Sequence, residues 1–221
     1  MDEPGPVIGR GRASVIYDLG DGTVLRRYLG GTASSEPEAA LMRLAEAHDV
    51  PVPHVHAANG PDIRMELVPG PTMLELLLRN PDRIDDLARE LAALHRRLDR
   101  VRSDAGNEFL VHGDLHPGNV IMSPRGPVLI DWTNARWADR ALDVALTWLI
   151  LACFEDPAGP PDLQVGSVLR QQFLDAFLNT VDLPAARAAL PRAAQVRRAD
   201  PATSSAELAR VDALCTDSAG T

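Results

Sequence analysis

The stretch from Val111 to Trp132, VHGDLHPGNVIMSPRGPVLIDW, constrains the fold more than any other part of the chain. A polar cluster, His112-Gly113-Asp114-Leu115-His116, runs into Pro117-Gly118-Asn119, which cannot continue a helix and forces a tight loop. Val120-Ile121-Met122 and Val128-Leu129-Ile130 flank a Ser-Pro-Arg-Gly-Pro turn, which predicts a β-hairpin whose second strand ends on Asp131. Such a hairpin carries Asp131 back towards Asn119 and Asp114, so three oxygen-bearing side chains converge. Oxygen ligands suit a hard cation such as Mg²⁺, often bound through one or two carboxylates together with substrate phosphates.

His112-x-Asp114, Asn119 five residues after the Asp, and a strand closing on Asp131 resemble the catalytic loop and metal-binding Asp of the protein-kinase-like fold. The wording HGDLHPGN…IDW is similar to the aminoglycoside phosphotransferase and choline kinase branch, and differs from the H-R-D-L-x-x-x-N loop and D-F-G of protein kinases. The resemblance covers roughly residues 7 to 180. It implies a two-lobed α+β fold: an N-terminal nucleotide-binding lobe over residues 1–68, with an antiparallel sheet and one helix, and a mostly helical lobe over residues 69–221 carrying the catalytic loop 111–132. It also implies transfer of the γ-phosphoryl group of ATP or GTP to a hydroxyl of a small molecule, aminoglycoside-like compounds being candidates. In that reading Asp114 takes the acceptor proton, and Asn119 and Asp131 hold Mg²⁺, for which Mn²⁺ can substitute.

Two other readings of these residues stay open. His112, Asp114 and His116 alternate and can share one face, as in a metal hydrolase with imidazole ligands, although His48, His54, His56 and His95 form no second cluster. The carboxylates can also simply cap a polar turn between core strands.

The chain has 221 residues, enough for one large core or two lobes around a cleft. A net charge of −9 argues against nucleic acid as a main partner. The opening MDEPGPVIG has no basic-then-apolar leader, and the longest apolar run, Ala141 to Phe154, contains Asp143 and reads as a buried helix, not a membrane span. Two distant cysteines, Cys153 and Cys215, fit a reducing cytoplasm. The resemblance implies a nucleotide and a small acceptor as partners. All 22 basic residues are Arg, so any phosphate clamp must use guanidinium.

Before the loop, VIGRGRASVIYDLGDGTVLRRYL predicts three strands joined by glycine turns. Gly9 and Gly11, with Ser14 at the place of a third Gly, resemble the kinase glycine-rich loop over the nucleotide phosphates. Val24-Leu25-Arg26 resembles the segment whose Lys grips those phosphates, with Arg26 in place of Lys; Arg27 is expected in solvent. That departure and the short second lobe leave open a pseudoenzyme that binds nucleotide without turnover. Ser35-x-x-Glu38 opens a helix to about His48, and Glu38 is either its capping partner or the glutamate that pairs with Arg26. Two strands follow, near Val55–Ala57 and Ile63–Val68. Val68-Pro69-Gly70-Pro71 resembles the hinge between lobes, where backbone near Glu66 to Val68 meets the adenine.

Thr72-x-x-Glu75 is a capping box, and Ile84, Leu87, Leu91, Leu94, Leu98 and Val101 form a core stripe on a long helix from Asp82, with His95 beside it for packing or a bond to the catalytic segment. Asp143 resembles the family aspartate that braces the catalytic loop, and Trp132 and Trp137 read as packing residues. Pro157–Pro161 is expected as a loop, Val165–Asn179 as a helix, and Ser204 with Glu207 as a cap on a last short helix. Between residues 139 and 182, seven acids stand against two Arg, either to attract an amine-bearing acceptor or as a solvated face.

Overall fold

The computed structural model describes residues 4–11, 13–29, 34–153, 166–201 and 203–218. The expected Pro157–Pro161 loop lies outside them.

Short β-rich runs separated by glycines fold into a meander, β1 (Val7–Arg10), β2 (Ser14–Asp18) and β3 (Thr23–Tyr28), with Gly20 and Gly22 at φ +75° and +81° in the β2–β3 turn. Then come α1 (Glu36–Ala47), β4 (Val55–Asn59) and β5 (Asp62–Glu66), giving one antiparallel sheet in the order β1-β2-β3-β5-β4. Val24 and Ile63 are buried, and Ile63 joins Ala39, Met42 and Ala45 of α1 in the core. The capping box expected at α1 does not form. Ser35 Oγ donates instead to the Asp62 carbonyl at 2.8 Å, and Glu38 is buried and turned towards the sheet. Arg27, expected in solvent, makes a two-pronged ion pair with Asp62, both contacts 2.7 Å.

Beyond the Pro-Gly-Pro segment the periodicity becomes helical. The capping box on α2 (Met73–Arg79) forms as expected, Glu75 N donating to Thr72 Oγ1 at 3.1 Å and Thr72 N to Glu75 Oε2 at 2.7 Å. A 3₁₀ turn over Pro81–Arg83 delays α3 (Ile84–Leu98), whose Leu87, Leu91, Leu94 and Leu98 are buried. Each such leucine contributes about 1.5–3 kcal/mol by leaving water. Next come β6 (Phe109–Val111), the expected hairpin of β7 (Val120–Ser123) and β8 (Gly126–Leu129), and β9 (Arg136–Ala138). β6 pairs antiparallel with β9, a ribbon that holds both ends of the catalytic segment together.

The remainder is α4 (Arg140–Cys153), α5 (Ser167–Leu178), α6 (Leu183–Ala199) and α7 (Ser205–Ser218). α4 is buried along most of its length and packs against α5 and α6. No helix among the described residues is long and apolar enough to cross a membrane. α6 was not foreseen: Asp182 caps it by accepting from Ala185 N at 3.1 Å, and Pro191 lies within it. At α7, Ser204 Oγ accepts from Glu207 N at 3.1 Å, but the Glu207 carboxylate turns to the buried Arg197 at 2.5 Å and leaves the box half made.

Candidate active site

The catalytic loop is fixed from behind by buried groups. Asp143, near the start of α4, accepts from the Gly113 amide at 2.7 Å and the His112 amide at 3.2 Å. His95 of α3 sets its Nδ1 3.3 Å from Asp143 and its Nε2 3.1 Å from Thr147 Oγ1, which donates to the Leu115 carbonyl at 2.6 Å. Burial pushes the Asp143 carboxyl up most strongly, yet the hydrogen bond and charge of His95, with His112 and the Gly113 amide, hold it below the usual carboxylate range. This is a carboxylate whose partners are supplied by the fold.

Within the loop, Pro117–Asn119 form a 3₁₀ turn. His116 Nδ1 accepts from Gly118 N at 3.1 Å, which puts the ring proton on Nε2, and burial holds the imidazole below its ordinary pKa, so it is neutral near pH 7. A Cβ on Gly118 would stand 2.8 Å from His116 Cε1, so the turn needs glycine there. Asn119 Nδ2 donates to the Asp114 carbonyl at 2.9 Å and lies 3.3 Å from Asp114 Oδ2, which leaves its amide oxygen as the free end. Asn119 O accepts from Ile130 N at 3.0 Å, joining loop to hairpin. His112 Nε2 donates to the Ile130 carbonyl at 3.0 Å, its ring edge-on to the buried Trp132. His112 and His116 thus serve the loop, and no group of three His, Cys, Asp or Glu side chains among the described residues is placed to hold a metal ion.

β8 ends at Leu129, two residues short of Asp131, which lies at φ +60°, ψ +70°. Asp tolerates this left-handed conformation better than most residues, and it turns the carboxylate out of line with the strand. Asp131 Oδ1 accepts from Thr133 Oγ1 at 2.7 Å and lies 3.3 Å from Arg26 Nη2.

Arg26 reaches this point from β3 and is the centre of the opposite wall. Its Nη1 donates to Glu38, its Nε to Ser14 Oγ at 3.0 Å, and its Nη2 to Thr133 Oγ1 at 2.5 Å. Tyr28 donates to the other Glu38 oxygen and lies 4.9 Å beneath the guanidinium; burial and the Glu38 carboxylate push its hydroxyl up to about 12. Burial disfavours the charged form of Arg26, but Glu38 and Asp131 outweigh it and raise the pKa further. The expected Arg26–Glu38 pair is present. The other edge of the fork, expected to face phosphates, meets Asp131 and Thr133 instead, a threonine that no sequence motif marks.

Gly9 lies in β1 and Gly11 in the turn after it, where Gly11 N donates to Ser14 O at 2.9 Å. Ser14 is buried with its hydroxyl turned to Arg26. Glu66 ends β5; its amide donates to His54 O at 2.9 Å, the Leu67 amide donates to Gly22 O at 3.0 Å, and Glu66 carboxylate accepts from Arg125 at 2.7 Å. Val68 is buried beside them. The hairpin is tied to the hinge, Met122 N donating to Pro71 O, and to the segment after α1, Leu129 N donating to Pro51 O, both at 2.8 Å.

With this arrangement in view, comparison with known proteins is decisive. The profile of the phosphotransferase enzyme family matches residues 7–109 and 64–195. The chain belongs to this family. An aminoglycoside 3'-phosphotransferase of Streptomyces fradiae is 33% identical over 102 residues, 42% of this chain and 36% of that protein. An uncharacterised Bacillus subtilis protein, YcbJ, is 46% identical over 43 residues, 19% of this chain and 14% of that one. The chain thus aligns with about a third of one curated relative and a smaller part of the other. Among solved structures, the streptomycin–ATP complex of the aminoglycoside phosphotransferase APH(2")-IIa matches with TM-score 0.63 and 14% identity over 89% of this chain and 84% of that one. A choline/ethanolamine kinase family protein from Mesorhizobium loti matches with TM-score 0.61 and 14% identity over 100% and 89%. The fold is the α+β, kinase-like fold of this phosphotransferase family.

Proposed function

We propose that the protein transfers the γ-phosphoryl group of ATP or GTP to a hydroxyl of a small molecule, with Asp114 as the base. The observation that carries this reading is that Asn119, bonded to Asp114, also accepts through its backbone from Ile130 beside Asp131, which in turn meets Arg26, on a loop braced by buried bonds. Residues 1–68 act as the nucleotide-binding lobe and residues 69–221 as the acceptor-binding lobe.

The donor set fits a hard divalent cation. The Asn119 amide nitrogen is engaged by Asp114, so its oxygen is available, and Asp131 Oδ1 carries the Thr133 contact, leaving Oδ2. Together with phosphate oxygens these suit Mg²⁺ or Mn²⁺ and supply too few ligands for a zinc hydrolase. When bound, the ion neutralises charge on the transferring phosphoryl group. Asp114 orients the acceptor hydroxyl and takes its proton as the oxygen attacks the γ-phosphorus and the bond to the leaving diphosphate breaks. Asn119 and Asp131 would hold the cation, and Arg26, held by Glu38, would offer its guanidinium to the phosphates. The Gly9–Ser14 turn lies over the phosphates. The Glu66 and Leu67 amides are already engaged, so adenine or guanine is read by the neighbouring carbonyls and Val68.

The test is a pair of substitutions. Asp114→Asn is expected to slow transfer by at least about two orders of magnitude at nearly unchanged Mg-nucleotide affinity, because the lost proton acceptor acts in the transition state. Asp131→Asn is expected to weaken Mg-nucleotide binding itself. Nucleotide binding without turnover in the parent protein supports the pseudoenzyme; one tight Zn²⁺ with hydrolysis and no nucleotide effect supports the hydrolase.

A further inference from the structure

Arg136, in β9, projects onto the catalytic loop without a carboxylate to meet it. It stands in register with Val111, its Nη1 donates to the Asn134 carbonyl at 3.1 Å, and a Cβ added to Gly113 would lie 3.0 Å from that Nη1. Gly113, at φ +78°, therefore admits a guanidinium laid directly over the residue before Asp114. The other nitrogen, Nη2, is buried with no hydrogen-bond partner among the described residues. Arg26, Arg27, Arg64, Arg125 and Arg197 each hold a carboxylate; among the described residues Arg136 holds none. A buried donor without an acceptor is unfavourable and uncommon in folded proteins, and the chain supplies none to this nitrogen among the described residues.

Its position bears on which molecule supplies an acceptor. Arg136 abuts the loop at Gly113, the residue before Asp114, and among the described residues its side chain meets Gly113 and Asn134, not Asn119, Asp131 or Arg26. A guanidinium recognises carboxylate or phosphate oxygens through parallel donors. The acids that were candidates for attracting an amine are engaged locally: Asp139 accepts from Ala141 N, Asp143 braces the loop, Asp175 accepts from Gln171, and Asp182 caps α6. Glu155, Asp156 and Asp162 lie outside the described residues.

We propose that Arg136 binds an oxyanion of the acceptor, so that the acceptor is a hydroxyl compound bearing a carboxylate or phosphate, not a polycation. This deepens the phosphotransferase reading and rests on it. The experiment uses the full chain with Mg-ATP and Mg-GTP and four acceptors: gluconate, glucose 6-phosphate, choline and an aminoglycoside. Transfer is expected to gluconate, glucose 6-phosphate or both, the preferred one giving the source of the oxyanion. Arg136→Gln raises KM for that acceptor about tenfold or more, as expected for a lost charge-assisted contact, with the smaller change in kcat. Arg136→Lys, which keeps the charge, lies between. A preference for choline or the aminoglycoside overturns the proposal, as does an unchanged KM in the Gln variant. So does a fall in kcat alone for every acceptor, which moves the oxyanion to the transferring phosphoryl group. Should no phosphoryl transfer occur, thermal stabilisation by gluconate or glucose 6-phosphate without nucleotide separates the two ideas. A shift in the parent protein that Arg136→Gln abolishes retains the anion site while the phosphotransferase reading fails, and no shift removes the site too.

Discussion

The two walls of the cleft hold the same loop by opposite means. Behind it, Asp143, His95 and Thr147 are buried and bond to backbone at His112, Gly113 and Leu115. In front, Arg26 reaches across from the sheet to Asp131 and Thr133, side chains on the exposed surface of the cleft. The rear contacts are buried and fix the loop by its backbone. The front contacts involve the carboxylate proposed to take a cation, and on that proposal they would be exchanged when one binds. A kinase-like site needs both: a base held still, and a clamp able to change partners.

Breaking the rear wall has the largest expected effect. Asp143→Ala removes a buried carboxylate and strands two backbone amides and His95, which costs about 2–5 kcal/mol of stability, read from denaturant unfolding. Loss of transfer should follow loss of folding. A variant that folds as stably as the parent but has no activity would move Asp143 from bracing to catalysis.

On the front wall, Arg26→Ala leaves Glu38 buried with only Tyr28 and is expected to cost about 2–4 kcal/mol in kcat/KM for transfer. Arg26→Lys should not restore it, because one ammonium cannot reach Ser14, Glu38 and Thr133 together in the geometry of a planar fork. Nucleotide affinity and transfer rate for both variants sharpen the comparison: an Ala variant equal to the parent means the front contacts are idle.

The smallest effect concerns His116. Its folded-state pKa lies below the ordinary 6.5, so the unfolded chain takes up this proton first as pH falls. The neutral ring's contribution is complete above about pH 6.5 and declines below it until the folded pKa is reached, with a slope of at most about 1.4 kcal/mol per pH unit. His116→Gln should flatten the stability profile just below about pH 6.5; an unchanged profile would assign the slope to other groups.

What was legible in the sequence was whatever local chemistry decides. Pro117-Gly118-Asn119 can only be a turn, Thr72 and Glu75 cap a helix from three residues apart, and the leucine spacing of α3 has one period. Contacts over long separations were readable only where the family resemblance supplied them, as for Asp143 behind the loop. Glu38 satisfied a local rule, the capping box, and a distant one, the pair with Arg26; the buried guanidinium won because an unpaired charge in the interior costs more than a missing cap. β6 and β9 are three residues each, too short for alternation to register, and exist because they pair with each other. α6 is an alanine-rich run with Pro191 inside it, and its place is set by packing on α4. The Arg26–Asp131 contact spans 105 positions and has no signature in either segment.

The left-handed backbone at Asp131 also filters what evolution or a mutational scan can put there. Replacements meet two independent screens, one of shape and one of chemistry. Asn passes the first, which makes it the clean probe of the second; Gly passes the first with no side chain left to examine. Glu keeps the charge but carries a longer side chain poorly suited to positive φ, at a penalty of about 1–2 kcal/mol. Its rejection in a library would therefore report backbone geometry as much as ligand preference, and position 131 would look more intolerant than its metal chemistry alone requires.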